Sequence, residues 1–220
     1  RGDRESSTNC WIAAKILLDA MRERGGYIST RANSDGTDSP YELNISYFDA
    51  FRPTDPRDSR WHIPAFLASQ VISLSFQGIP AVYIHCLTAT PNDTLGVERT
   101  GMTRAINRRK WDRGELEYQI GETMSETGQV FALYRRLLQL RRDQRAFDPD
   151  GAQRIIVVDE RLFCFERFAP RDDQRILVLA NLTSDNIPID VAMLPDDLAQ
   201  REELLQLFKP RITKDTLLLE

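Results

Sequence analysis

The spacing of apolar residues changes once along the chain, from a helical period of about 3.6 before Pro149 to alternation after it. Between Thr8 and Arg24, Ile12, Ile16 and Ala20 stand four apart with Leu17 and Met21 beside them, which predicts an amphipathic helix. Ser6, Ser7 and Thr8 offer N-cap oxygens, and Gly25-Gly26 supplies the stop. Tyr27-Ile-Ser-Thr reads as a short strand, the polar run from Arg31 to Pro40 as turns, and Tyr41–Phe48 alternates weakly. Arg52–Arg60 is a loop marked by Pro53 and Pro56, so the region as a whole reads as a functional excursion rather than a connector. A second helix starts near Pro64, a good first-turn residue, and runs to Gln77 with a polar stripe of Ser69, Gln70, Ser73 and Gln77. Ile79–His85 is almost wholly apolar and predicts a strand buried on both faces of a parallel sheet. From Cys86 to Arg113 no period is sustained, and a third helix covers Gly128 to Arg145.

After Pro149 the predicted elements are strands: Arg154–Asp159, Arg161–Phe168, Arg175–Thr183, Ile187–Leu194 and Leu204–Phe208, separated by acidic and proline-containing turns. Short strands following alternating helices and strands argue for an α/β portion succeeded by an all-β, antiparallel domain, with the boundary near Phe147–Gln153.

Composition narrows the class without naming a function. With 41% hydrophobic and 28% charged residues in 220, the chain is that of an ordinary globular protein of one or two domains. A net charge of −4 supplies no basic field for nucleic acid, and no apolar stretch is long enough for a membrane span. No signal-peptide pattern opens the chain, and Cys10, Cys86 and Cys164 are too few and too scattered for a disulfide framework. Together these features lead to an expectation of reduced thiols and a cytoplasmic protein.

The common catalytic motifs are missing. There is no Gly-rich phosphate loop, CxxC, HExxH or GxSxG, and His62 and His85 are too few for a histidine-rich metal site. Arg135-Arg136, Arg141-Arg142, Arg145 and Arg154 read as a solvated basic face near a helix C-terminus. The residues alone therefore end at an α/β protein with an appended β-domain.

Three blocks carry a resemblance further. Gly78-Ile-Pro-Ala-Val-Tyr-Ile-His85, preceded by a Phe-Leu-Ala-Ser-Gln helix, resembles the last barrel strand of the α-amylase superfamily, glycoside hydrolase family 13. Ser39-Pro-Tyr-Glu-Leu-Asn-Ile-Ser-Tyr-Phe-Asp-Ala50 and Arg104-Ala-Ile-Asn-Arg108 resemble the sucrose phosphorylase subfamily, which includes glucosylglycerate and sucrose 6′-phosphate phosphorylases. The match runs from about Gly25 to Glu220. It implies that residues 1–147 form the C-terminal portion of a (β/α)8 barrel, with a loop excursion at 26–63 and an active-site loop at 86–113. Residues 148–220 would be the antiparallel domain C, lacking its last strand.

The resemblance also implies an activity and its limits. Such enzymes are retaining α-glucosyl phosphorylases (glycosyltransferases), converting sucrose, glucosylglycerate or a related α-glucoside to α-glucose 1-phosphate. The family's nucleophilic Asp, acid/base Glu and transition-state-stabilising Asp follow barrel strands four, five and seven, and the match begins after them. This chain is then expected to hold no catalytic carboxylate and to be inactive alone. Arg104 aligns with an arginine that reaches the donor glucosyl unit, while Tyr41 and Glu42 align with a mobile loop lining the acceptor subsite. Glu42 stands where many members carry Gln. His85, Asn92 and Asp93 are weaker candidates, with structural roles as their alternatives. No metal or cofactor is expected beyond inorganic phosphate as co-substrate. The expected partners are a sugar, phosphate and the missing N-terminal barrel portion, with no nucleic acid or membrane; a homo-oligomer stays open. The competing readings are a fragment of an α-glucan hydrolase or transglucosidase, and a non-catalytic remnant.

Overall fold

The computed structural model describes residues 2–171, 173–195, 197–198, 201–205, 211–212 and 216–219. In chain order the elements are α1 (Gly2–Glu23), β1 (Tyr27–Ala32), β2 (Asp38–Asn44), α2 (His62–Ser75), α3 (Ile84–Leu87), α4 (Thr94–Thr100), α5 (Arg113–Gly121) and α6 (Glu126–Asp143). There follow β3 (Gln153–Ile155), β4 (Leu162–Phe168), β5 (Arg175–Asn181), β6 (Ile187–Asp190), β7 (Arg211–Ile212) and β8 (Thr216–Leu219). They form two units, one of Arg1–His62 with Val82–Phe131, the other of Ile63–Ala81 with Ala132–Glu220.

In the first unit, α1 ends where the sequence predicts. Gly25 turns left-handed at φ 81°, its N–H donates to Arg22 O, and Gly26 N–H donates to Met21 O, both at 2.9 Å. This paired closure satisfies carbonyls the helix would leave open. β1 and β2 then form an antiparallel hairpin whose register slips between Ser29 and Thr30: Ser29 faces Glu42 and Thr30 faces Pro40. Tyr41 is the extra residue of a β-bulge, a device that re-aims side chains beside functional sites. The hairpin's turn is tied by Asp35, which accepts from Thr37 N–H at 3.0 Å.

The buried positions of this unit are unusually polar. Asn44, Ser46, Asp49, His62, Thr88 and Thr90 are buried alongside Phe48 and Ile106. Each buried polar group must find a partner: Asn44 Nδ2 donates to Ser29 Oγ at 2.7 Å, and the others enter the network described below.

The second unit has an apolar interior built on strand alternation. Along β4, Leu162 and Cys164 pack with Ile187, Ile189 and Leu217, while Phe165 packs on the other face with Phe147 and Val178. β3, β4 and β5 are antiparallel neighbours, as are β6, β8 and β7 in a second sheet. Two arginines close the C-terminal end of α2. Arg141 donates to the carbonyls of Leu74, Phe76 and Gly78, and the fully buried Arg167 donates to those of Ser75, Asp148 and Gly151. Terminal carbonyls lack helical partners and carry the negative end of the helix dipole, so guanidinium donors suit them doubly. Burial lowers the Arg167 pKa, with the nearby Arg141 charge adding to the effect. Arg141 therefore caps a helix rather than belonging to a solvated face, and Arg154 pairs with the buried Glu166.

Two expectations need correction. Residues 79–83 are not a strand: Ile79 is 86% and Tyr83 50% exposed, and the chain enters α3 at Ile84. A strand interior to a parallel sheet needs ladder partners on its flanks, and among the described residues every strand pairing is antiparallel and none involves this segment. Nor is 86–113 aperiodic. It contains α4 and a 3-10 turn at Thr103–Asn107, both too short to register as a period. The strand expected over Leu204–Phe208 falls partly outside the described residues.

Candidate functional site

The hairpin and the 3-10 turn bring together two residues from separate sequence blocks. Arg104 lies in the turn, Glu42 on β2 directly after the bulge, and Arg104 Nε donates to Glu42 Oε2 at 2.7 Å. Their side chains are 52% and 32% exposed, so the pair is accessible to solutes. The neighbouring Tyr41 is exposed, and the Arg31 guanidinium lies 6.0 Å from its ring centroid. One small surface thus presents a tyrosine, a carboxylate and two guanidiniums, a set able to hold polyhydroxylated and anionic groups.

Leu43 and Asn107, each close in sequence to one member of that pair, line a cleft of about 530 Å³. Its walls include Met21, Ile45, Tyr83 and His85. Asn107 Oδ1 is buried with no hydrogen-bond partner among the described residues, whereas Tyr83 Oη donates to the Asn107 carbonyl at 3.1 Å.

His85 belongs to a hydroxyl cluster. Its Nδ1 lies 3.0 Å from Thr90 Oγ1, which accepts from Trp111 Nε1 at 2.9 Å and lies 2.8 Å from Thr88 Oγ1. Thr88 donates to Ile84 O, which leaves Thr90 as the donor to either His85 or Thr88. Burial lowers the His85 pKa and the Arg109 charge adds to the effect, favouring neutral imidazole. Ala89, buried at φ 46°, makes the left-handed turn that returns Thr90 toward His85. Trp111, left out of the sequence-based site, holds this cluster and carries Arg109 3.8 Å from its ring centroid.

Asn92 and Asp93 fasten backbone. Asn92 Oδ1 accepts from Ser46 N–H at 2.8 Å, its Nδ2 donates to Arg24 O at 3.1 Å, and its own N–H donates to Asp49 Oδ2 at 2.7 Å. Asp93 caps α4 by accepting from Gly96 N–H at 2.8 Å. Asp49 also accepts from Arg52 Nε, and Arg52 reaches Glu126. His62 Nε2 lies 2.9 Å from Phe48 O and its Nδ1 3.2 Å from Glu126 Oε1. This network anchors the residues that follow β2, and hence the foot of the hairpin.

Two of the thiols are held in the protonated, poorly nucleophilic form: burial pushes Cys86 and Cys164 up to about 11, and both are free. Among the described residues no cluster of three or more His, Cys, Asp or Glu is placed to hold a metal, and no helix is long and apolar enough to cross a membrane.

No protein-family model matches the chain. Individual proteins do. It is 37% identical over 173 residues to a glucosylglycerate phosphorylase of Spirochaeta thermophila, covering 76% of this chain and 28% of that one. A glucosylglycerate phosphorylase of Escherichia coli K12 is 36% identical over 135 residues, covering 61% and 24%. A crystal structure of sucrose 6F-phosphate phosphorylase from Thermoanaerobacter thermosaccharolyticum superposes with a TM-score of 0.63 at 25% identity, covering 80% of this chain and 33% of that one. The chain thus spans about a quarter to a third of the length of these relatives. Over that portion it is homologous to the glucosylglycerate and sucrose 6F-phosphate phosphorylases.

Proposed function

We propose that these 220 residues are the acceptor-side portion of a retaining α-glucosyl phosphorylase that releases α-glucose 1-phosphate from glucosylglycerate, sucrose or a related α-glucoside. The observation that carries this reading is the meeting of Glu42 and Arg104 on one accessible surface, in a chain homologous to such phosphorylases. In this reading residues 1–147 complete a (β/α)8 barrel and 148–220 form its domain C. Segment 79–83, apolar and without a ladder partner among the described residues, takes its neighbours from the rest of that barrel. The nucleophile and acid/base carboxylates, about 5–5.5 Å apart in retaining enzymes, come from the part of the relatives that this chain does not match.

The chemistry divides accordingly. The nucleophilic carboxylate displaces the aglycone, whose oxygen takes the acid's proton, and forms a β-glucosyl ester. A phosphate oxygen then attacks the anomeric carbon from the opposite face, frees the carboxylate and yields α-glucose 1-phosphate. This chain's part is to hold the sugar and acceptor. Arg104 donates to glucosyl hydroxyls, Tyr41 lines the acceptor side, and the Glu42 carboxylate accepts from acceptor hydroxyls. His85, as neutral imidazole, borders the cleft. Inorganic phosphate is the only co-substrate this scheme requires.

The test is product release from glucosylglycerate and sucrose, with and without phosphate. The isolated chain is expected to release neither glucose nor glucose 1-phosphate above a buffer blank. A protein joining this segment to the unmatched two-thirds of a relative is expected to release glucose 1-phosphate only when phosphate is present. Glucose release independent of phosphate favours the hydrolase reading instead.

A further inference from the structure

His85 meets the protein through one ring nitrogen and leaves the other unused. Its Nδ1 lies 3.0 Å from Thr90 Oγ1, while its Nε2 makes no hydrogen bond among the described residues. The half-buried ring borders the cleft, and Tyr83 packs edge-on against it with ring centroids 4.9 Å apart.

The hydrogens of this cluster can be placed by counting. Four contacts need one each: Thr88 Oγ1 to Ile84 O, Thr88 Oγ1 to Thr90 Oγ1, Trp111 Nε1 to Thr90 Oγ1, and Thr90 Oγ1 to His85 Nδ1. The Ile84 carbonyl only accepts, so it takes the Thr88 hydrogen, and the Thr88 oxygen takes the Thr90 hydrogen. The Trp111 indole only donates and fills one of the two lone pairs on Thr90 Oγ1. The last contact can then be bridged only by a hydrogen on His85 Nδ1. Without it, two lone pairs would face each other at hydrogen-bond distance beside threonines that are 1% exposed, where unmet polar groups are costly.

A neutral imidazole carries one hydrogen, and the partner of one nitrogen decides the state of the other. Burial and then the Arg109 charge lower the His85 pKa, which keeps the ring neutral at pH 7. Nε2 is left as a bare lone pair on the wall of the cleft. It can accept from a hydroxyl and offers nothing to a carboxylate or phosphate oxygen. Asn107 Oδ1, buried with no hydrogen-bond partner among the described residues, adds a second acceptor at the same cleft.

We propose that Thr90 is a positioning residue that holds His85 in the Nδ1–H tautomer, so that Nε2 accepts a hydrogen bond from a hydroxyl of the bound sugar. This rests on the phosphorylase reading for its ligand, an α-glucoside, and adds a specificity to it. This wall of the cleft selects hydroxyls over anionic groups, leaving the latter to the arginines.

The tautomer is read by long-range proton–nitrogen NMR of the 220-residue chain at neutral pH, with His85→Phe separating its ring signals from those of His62. The expected pattern is a protonated, pyrrole-type Nδ1 and a bare, pyridine-type Nε2. Thr90→Val keeps the shape but removes the acceptor, and is expected to move the proton to Nε2; Thr90→Ser is expected to keep the original pattern. The second readout is kcat/KM for glucosylglycerate in the protein joining this segment to the unmatched two-thirds of a relative. His85→Phe and Thr90→Val are each expected to lower it about three- to tenfold, the worth of one neutral hydrogen bond. The double variant is expected to lose no more than either alone, because Thr90 acts through His85. Thr90→Ser is expected to restore the rate.

A protonated Nε2 in the unaltered chain overturns the relay. The expected tautomer with kcat/KM unchanged in both variants makes the cluster structural, which overturns the hydroxyl role and leaves the phosphorylase reading in place. Glucose release indifferent to phosphate, yet lowered alike by both variants, overturns the phosphorylase reading and supports the role of His85.

Discussion

Glu42 and Arg104, 62 residues apart in sequence, meet through a single 2.7 Å hydrogen bond from Nε to Oε2. Solvent screening limits what such a pair contributes to stability. A double-mutant cycle with Glu42→Gln and Arg104→Ala, followed by chemical denaturation, is expected to give a coupling of about 0.2–1 kcal/mol. A coupling several times larger would show that the pair is a structural clamp. In a phosphorylase carrying this segment, Arg104→Ala is expected to lower kcat/KM with several acceptors alike, on the order of tenfold to a hundredfold.

Arg167 gives the opposite case. It is fully buried and satisfies backbone carbonyls at Ser75, Asp148 and Gly151. Arg167→Met fills similar space but leaves these acceptors dry and unpaired, so a loss of about 3 kcal/mol or more is expected in urea unfolding. A loss below about 1 kcal/mol would mean that water reaches the end of α2.

Asn92 bridges Ser46 N–H and the Arg24 carbonyl with the two ends of one amide. Asn92→Ala is expected to cost roughly 1–3 kcal/mol, because both backbone groups lose their partner. Aspartate at this position keeps the acceptor for Ser46 but loses the donor for Arg24, so Asn92→Asp is expected to recover part of the loss. An alanine variant as stable as the unaltered chain contradicts the anchoring role.

Acid should loosen the same network. The hydrogen bond from His62, followed by the contacts with Arg52, holds the Glu126 carboxyl below its ordinary value of 4.5, against the opposing effect of burial. A depressed folded pKa contributes stability that is present above the unfolded value and is lost as pH falls through the folded one. The melting temperature is therefore expected to drop below about pH 4.5, and Glu126→Gln to flatten that part of the profile. Identical acid limbs for the two proteins would remove Glu126 from the explanation.

How much of this was legible in the sequence depended on the range of the interactions. The long helices were readable because their signals are local: Gly25-Gly26 ends α1, and Val130, Tyr134 and Leu137 mark the buried side of α6. β4 and β5 followed from alternation, which divides Leu162 and Cys164 from Phe165. Segment 79–85 was misread because an all-apolar run specifies burial only if neighbours exist to bury it. The short helices of 94–121 were missed by period but leave cap signals, with Asp93 and Asp112 accepting from Gly96 and Glu115 N–H and Gly101 left-handed at φ 66°. Tyr41, Glu42 and Arg104 came from motif blocks, yet neither the bulge at Tyr41 nor the Glu42–Arg104 contact can be read from spacing. Trp111 had no motif at all, since its partner Thr90 is 21 residues away.

The central claim is tested most directly by replacing the matching segment of the Spirochaeta thermophila glucosylglycerate phosphorylase with this chain and measuring glucose 1-phosphate release from glucosylglycerate against phosphate concentration. The expected result is a folded chimera whose glucose 1-phosphate release saturates with phosphate and is abolished without it. A folded chimera that yields only glucose, at a rate indifferent to phosphate, would contradict it.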